Sequence, residues 1–115
     1  MNKRIIISDI LAKKSKSKIV AMTCYTAQFS SIFDKYADIL LVGDSLGMIV
    51  YGLENTINVS IRMMIDHGKA VVNTSKTSLV VVDLPFSSYE ASKEKAFTNA
   101  AKILAKTEAQ AVKLE

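Results

Sequence analysis

Four short apolar runs set the limits on what this chain can fold into: Ile19-Val20-Ala21-Met22, Ile39-Leu40-Leu41-Val42, Leu79-Val80-Val81-Val82 and Ala111-Val112-Lys113-Leu114. Each is too short for a buried helix, and three are rich in β-branched side chains, which favours strands. The runs are continuous rather than alternating. That suits strands covered on both faces, as in a parallel sheet.

Helical patterns separate them. Phe29, Ile32, Phe33 and Tyr36 recur at three and four residues and predict one helix after Thr26. Ser60 is placed to cap a second, with Ile61, Met64, Ile65 and Val72 on one face, and Ser92 a third, with Glu94 near its positive end. In the third, Ala96, Phe97, Ala100, Ile103 and Leu104 are expected to face inward. A short helix over 8–14 precedes the first strand. Strands alternating with helices predict an α/β fold with a parallel sheet and crossover helices.

Other classes are excluded on composition. The net charge of +4 is concentrated in Lys13-Lys14-Ser15-Lys16-Ser17-Lys18, a solvated cluster without interleaved arginine or aromatic residues, so no nucleic-acid surface is expected. Tyr25 and Phe29, which lie outside it, read as structural. One cysteine, Cys24, permits no internal disulfide and fits a cytoplasmic setting. One cysteine and one histidine, His67, cannot make a Cys/His zinc site. No apolar stretch reaches the roughly 20 residues of a membrane span, and the apolar start ends too soon at Ser8-Asp9 for a signal peptide.

The candidate chemistry sits at the strand ends. Asp44 follows the second run, Asp83 the third and Glu115 the fourth. Asp44 to Asp83 is 39 residues and Asp83 to Glu115 is 32, each near the ~30-residue βα repeat. In a parallel sheet the C-terminal strand ends share one edge, so the three acids are expected to converge. Alternation along the strands predicts that Leu40, Val42 and Asp44 share a face, as do Leu79, Val81 and Asp83, and Ala111, Lys113 and Glu115. Crowded carboxylates repel. A hard divalent cation relieves that, Mg²⁺ first, given oxygen-only donors. The competing reading is that each acid caps a helix or pairs with Lys113.

Gly43-Asp44-Ser45-Leu46 also suggests a hydrolase with Ser45 as nucleophile. Such a serine needs a histidine base and an orienting acid. The single histidine lies inside a predicted helix, and no Asp-x-x-His follows downstream. Gly43, Gly47 and Gly52 do not make the Gly-x-Gly-x-x-Gly of a dinucleotide site.

Three ordered blocks, Val42-Gly43-Asp44-Ser45-Leu46-Gly47-Met48, Asp83-Leu84-Pro85-Phe86-Ser87-Ser88-Tyr89 and Ala111-Val112-Lys113-Leu114-Glu115, resemble the signature segments of the ketopantoate hydroxymethyltransferase family. Met22-Thr23-Cys24-Tyr25 and the stretch 64–71 are similar in spacing. The resemblance implies that residues 1–115 are the N-terminal half, about four strands, of one (β/α)₈ TIM barrel, whose C-terminal half is absent from this chain.

It further implies hydroxymethyl transfer from 5,10-methylenetetrahydrofolate to 3-methyl-2-oxobutanoate, giving ketopantoate for pantothenate biosynthesis through a Mg²⁺-stabilised enolate. The expected metal ligands are Asp44, Asp83 and Glu115, the last directly or through water. The 2-oxo acid is expected to meet Asp44, Ser45, Asp83 and Lys113, with Ser45 and Lys113 on its carboxylate. A homo-oligomer, a decamer in the family, is implied as well. Thr26 departs from the family's usual Asp. The family's glutamate base and a later histidine belong to the second half, so neither role falls to His67 or Glu108. Without that half the chain reads as an incomplete enzyme or an inactive half-barrel. Other Mg²⁺ enzymes that form oxo-acid enolates, of the phosphoenolpyruvate mutase and isocitrate lyase kind, are an alternative that strand-end acids alone do not separate.

Overall fold

The apolar runs become the strands of one sheet. The computed structural model describes residues 3–115. In chain order the elements are α1 (Ile7–Ala12), β1 (Ala21–Thr23), α2 (Ala27–Phe33), β2 (Ile39–Val42), α3 (Leu46–Ile49), α4 (Ile61–Thr74), β3 (Leu79–Asp83), α5 (Lys93–Thr107) and β4 (Ala111–Lys113). The strands lie in the order β1-β2-β3-β4, all parallel. Sequential parallel strands joined by helices are the arrangement of the first half of a (β/α)₈ barrel.

Three helices start at polar caps. The Thr26 side chain accepts from the Phe29 N–H, Ser60 from Met63 and Ser92 from Lys95, each satisfying one of the amide donors left free in a first turn. The first strand begins two residues later than its apolar run suggests. The short α3 lies in a stretch that reads as loop.

The core fills the space between the sheet and its helices. Leu40 and Val42 of β2, Val80 and Val82 of β3, and Met64, Val71 and Val72 of α4 are all buried there, with Ile103 of α5. Gly68 lets α4 approach closely: a Cβ there would stand 3.0 Å from both Val82 and Thr107.

The helical stripes need two corrections. Phe97 is 77% exposed rather than inward-facing. It lies six residues before the buried Ile103, about 120° around the helix, beyond the strip that β4 and α4 cover. The α2 stripe is largely uncovered: Phe29 and Ile32 are 49% and 48% exposed, and Tyr36, past the helix end at Phe33, is 71% exposed. What α2 buries is Ser30, whose hydroxyl donates to the Val71 carbonyl over 2.9 Å.

Two charged side chains close the N-terminal end of the sheet. Arg4 donates to the carbonyls of Val72, Ser75 and Ser78 over 3.2, 2.7 and 2.7 Å, taking up backbone acceptors where α4 ends. Asp34 accepts from the backbone N–H groups of Lys76, Thr77 and Ser78. Those bonds outweigh burial, which acts the other way, and hold the Asp34 pKa below its ordinary value. Among the described residues, no helix is long and apolar enough to cross a membrane.

Candidate active site

At the C-terminal strand ends, β3 brings its last residue, Asp83, beside Lys113 of β4, its partner in register. Asp83 is only 7% exposed. Its two oxygens have different surroundings. Oδ2 accepts the backbone N–H of Asp44 over 2.9 Å. Oδ1 is buried and has no hydrogen-bond partner. The Lys113 ammonium stands 3.8 Å from Oδ1, close enough to attract and too far to bond.

Asp44 reaches this edge by a route that alternation does not describe. Register partners in a parallel sheet project to the same side, and Leu41 pairs with Val81, which pairs with Ala111. The site face therefore carries Leu41, Val81, Asp83, Ala111 and Lys113, while Leu40 and Val42 point into the helix-side core. The expected grouping of Leu40, Val42 and Asp44 with the Asp83 face is wrong for β2. The strand ends at Val42, and the chain turns at Gly43 before Asp44. A Cβ on Gly43 would lie 3.2 Å from Ser45 Oγ and 3.3 Å from Asp83 Oδ2. The missing side chain leaves room for Asp83's carboxylate to meet the next amide.

Ser45 stands at the start of α3 but makes no side-chain cap there. Its Oγ lies 2.8 Å from the hydroxyl of Tyr25. Tyr25, which reads as structural from sequence, follows β1 as Asp44 follows β2. The strand-end rule that singles out the acids, applied to β1, finds it.

Glu115 lies just past β4. Its carboxylate takes a 2.8 Å bond from Lys113, and its backbone N–H donates to the Tyr89 hydroxyl over 3.2 Å. Among the described residues no three acid, histidine or cysteine side chains converge tightly enough to hold an ion as they stand. Asp44 and Asp83 are close neighbours at one edge, and Glu115 is turned to Lys113.

Burial, then the Glu115 charge, pushes the Asp44 pKa up, against the pull of Lys113. Burial likewise raises Asp83, with Asp44 and Glu115 adding to it, against the Asp44 N–H and Lys113. The Glu115 hydrogen bond and the surrounding carboxylates raise Lys113. Carboxylates that resist ionising, one with a bare buried oxygen, fit a hard divalent cation with oxygen ligands.

A serine-nucleophile arrangement is not formed. His67 Nδ1 lies 2.6 Å from the Tyr25 carbonyl and Nε2 lies 2.9 Å from the Tyr51 hydroxyl, so both ring nitrogens are engaged away from Ser45. A cavity of about 780 Å³ around Arg4, Asp34 and Lys76 lies at the opposite end of the strands, remote from the acids.

A family model described as ketopantoate hydroxymethyltransferase matches residues 4–115. The chain belongs to the ketopantoate hydroxymethyltransferase family. A 3-methyl-2-oxobutanoate hydroxymethyltransferase of Bartonella tribocorum is 57% identical over 115 residues, which is 100% of this chain and 42% of that relative. Those of Paramagnetospirillum magneticum and Caulobacter vibrioides are 54% and 52% identical over 113 residues, 98% of this chain and 41% of each relative. The chain thus spans less than half the length of these hydroxymethyltransferases. Membership in this family of transferases, rather than among the other oxo-acid enolate enzymes, is what the ordered blocks lead to.

Proposed function

We propose that this chain supplies the acid half of a ketopantoate hydroxymethyltransferase site, transferring a hydroxymethyl group from 5,10-methylenetetrahydrofolate to C3 of 3-methyl-2-oxobutanoate. The observation that carries the reading is the divided carboxylate of Asp83, with one oxygen bonded to Asp44 and the other buried and bare. Asp44 and Asp83 would hold Mg²⁺, with Glu115 joining directly or through water. Bound there, the ion supplies Lewis-acid polarisation of the keto group, which acidifies the neighbouring C3–H.

The chain's own groups bind and orient. Lys113 offers positive charge to the substrate carboxylate, and the Glu115 hydrogen bond and neighbouring carboxylates favour its charged form. The Ser45 hydroxyl donates a hydrogen bond to the same carboxylate. Asp44 and Asp83 would act on the substrate only by holding that ion. The base that removes the C3 proton comes from the length that the relatives have beyond this match. A cytoplasmic setting and a homo-oligomer belong to the same reading, on the strength of the family.

The test is an assay of the full-length protein with Mg²⁺, 5,10-methylenetetrahydrofolate and the oxo acid. Ketopantoate should form and stop on chelation with EDTA. No product with all three present refutes the reading, and undiminished product in EDTA refutes its metal. The 115-residue polypeptide by itself should show no turnover.

A further inference from the structure

Tyr25, His67 and Tyr51 form a hydrogen-bonded strut that ends on Ser45 and has no part in the reaction as derived above. We propose that Tyr25 and His67 are positioning residues: the histidine fixes Tyr25, and the Tyr25 hydroxyl sets the direction of the Ser45 proton. The inference rests on the reading of Ser45 as a contact of the substrate carboxylate.

The direction of each bond follows from what its atoms can do. A carbonyl oxygen only accepts, so His67 Nδ1, 2.6 Å from the Tyr25 carbonyl, carries a hydrogen. In the neutral ring Nε2 then accepts from the Tyr51 hydroxyl at 2.9 Å. Tyr51 also meets the ring edge-on, with centroids 5.5 Å apart. Held at both nitrogens, the imidazole cannot turn without losing a bond. It ties α4 to the segment after β1, across 42 residues of sequence.

The other end of the strut is the 2.8 Å contact between Tyr25 and Ser45 hydroxyls, in which either oxygen could donate. Ser45 has one proton. If that proton goes to the substrate carboxylate, the Tyr25 hydroxyl must donate to Ser45 Oγ. Ser45 is thereby left one outward orientation, and a hydroxyl that accepts one hydrogen bond donates the next more strongly. Ser45 does not cap α3, so no helix N–H competes with the Tyr25 hydroxyl for its oxygen. Without the Tyr25 hydroxyl, the Ser45 proton is free to rotate.

The test uses steady-state kinetics of the full-length protein. Tyr25→Phe removes one oxygen and should raise KM for the oxo acid about five- to tenfold, the usual effect of one hydrogen bond. Turnover should stay within about twofold, and KM for the folate should not change. Ser45→Ala should do the same, and Tyr25→Phe/Ser45→Ala should be no worse than Ser45→Ala. His67→Ala should raise the same KM, and His67→Asn, which keeps a donor near the Nδ1 position, should restore most of it. Thermal unfolding of each variant separates loss of fold from loss of positioning.

Equal penalties for Tyr25→Phe in the wild-type and Ser45→Ala backgrounds would overturn the proposal, as would a loss confined to turnover. A wild-type protein that neither binds nor converts the oxo acid would instead overturn the functional reading, and this proposal with it. Active wild type with an indifferent Tyr25→Phe overturns the positioning role alone.

Discussion

The backbone N–H of Asp44 donates to one oxygen of Asp83 over 2.9 Å, and the other oxygen of that carboxylate is buried with no bond at all. The two acids are thus tied together by the main chain of Asp44 and the side chain of Asp83. Bringing two carboxylates together costs electrostatic energy; here an amide dipole between them offsets part of it.

That crowding gives the metal-binding reading a pH signature. Burial raises the pKa of both Asp44 and Asp83 in the folded chain. A carboxyl raised on folding binds protons more tightly folded than unfolded. Its effect on stability is therefore unfavourable as pH climbs above the unfolded value, about 3.9, and is complete above the folded one. Mg²⁺ must displace those protons, so its stabilisation grows over the same rise. Thermal unfolding of the full-length protein with and without Mg²⁺ should show a larger shift at pH 8 than near pH 4. An equal shift at both would mean the ion binds elsewhere.

Asp44 and Ser45 adjoin but should fail differently. Asp44→Ala should reduce Mg²⁺-dependent kcat/KM by at least about a hundredfold, as loss of a metal ligand does. Ser45→Ala should mainly raise KM for the oxo acid. Complete loss of turnover in Ser45→Ala, with Mg²⁺ binding intact by calorimetry, would reopen the nucleophile reading.

Gly43 is a sharp probe of geometry. The methyl of Gly43→Ala would sit 3.3 Å from Asp83 Oδ2 and 3.2 Å from Ser45 Oγ, and both must give way by a few tenths of an ångström. Activity should fall by about ten- to a hundredfold, as small misplacements of reacting groups do. The fold should persist, because neither displaced group is part of the apolar core. Wild-type kinetics in Gly43→Ala would show that the carboxylate has room to spare.

The acids, the strands and their parallel order were legible in the sequence because apolar runs and strand-end carboxylates are local signals. The face of Asp44 was not. Alternation holds only while the strand lasts, and β2 ends two residues before Asp44. Tyr25 reads as structural in the sequence because an aromatic residue near a strand looks like packing until its hydroxyl has a partner. Periodicity turns Phe97 inward because it marks a stripe without saying how wide a strip the neighbours cover.

Far from the site, Asp34 should govern acid stability. Its pKa is lowered on folding by three backbone N–H groups. The sign is the reverse of the site acids. Its stabilisation is present above the unfolded value and lost as pH falls through the folded one. Asp34→Ala should cost about 2 kcal/mol at pH 7 by leaving those amides unpaired. The gap to wild type should close below about pH 4, as measured by urea unfolding across pH. A gap that is constant with pH would mean Asp34 acts by shape, not charge.

Arg4 has a consequence for the order in which the chain assembles. Every strand pairing joins neighbours in sequence, so the sheet can grow strand by strand as the polypeptide leaves the ribosome. Arg4 has its partners 68 to 74 residues away, at Val72, Ser75 and Ser78. The segment around Arg4 must therefore wait for the α4–β3 junction before it can dock. Arg4 is made before its partners and secured late, a latch over units already paired.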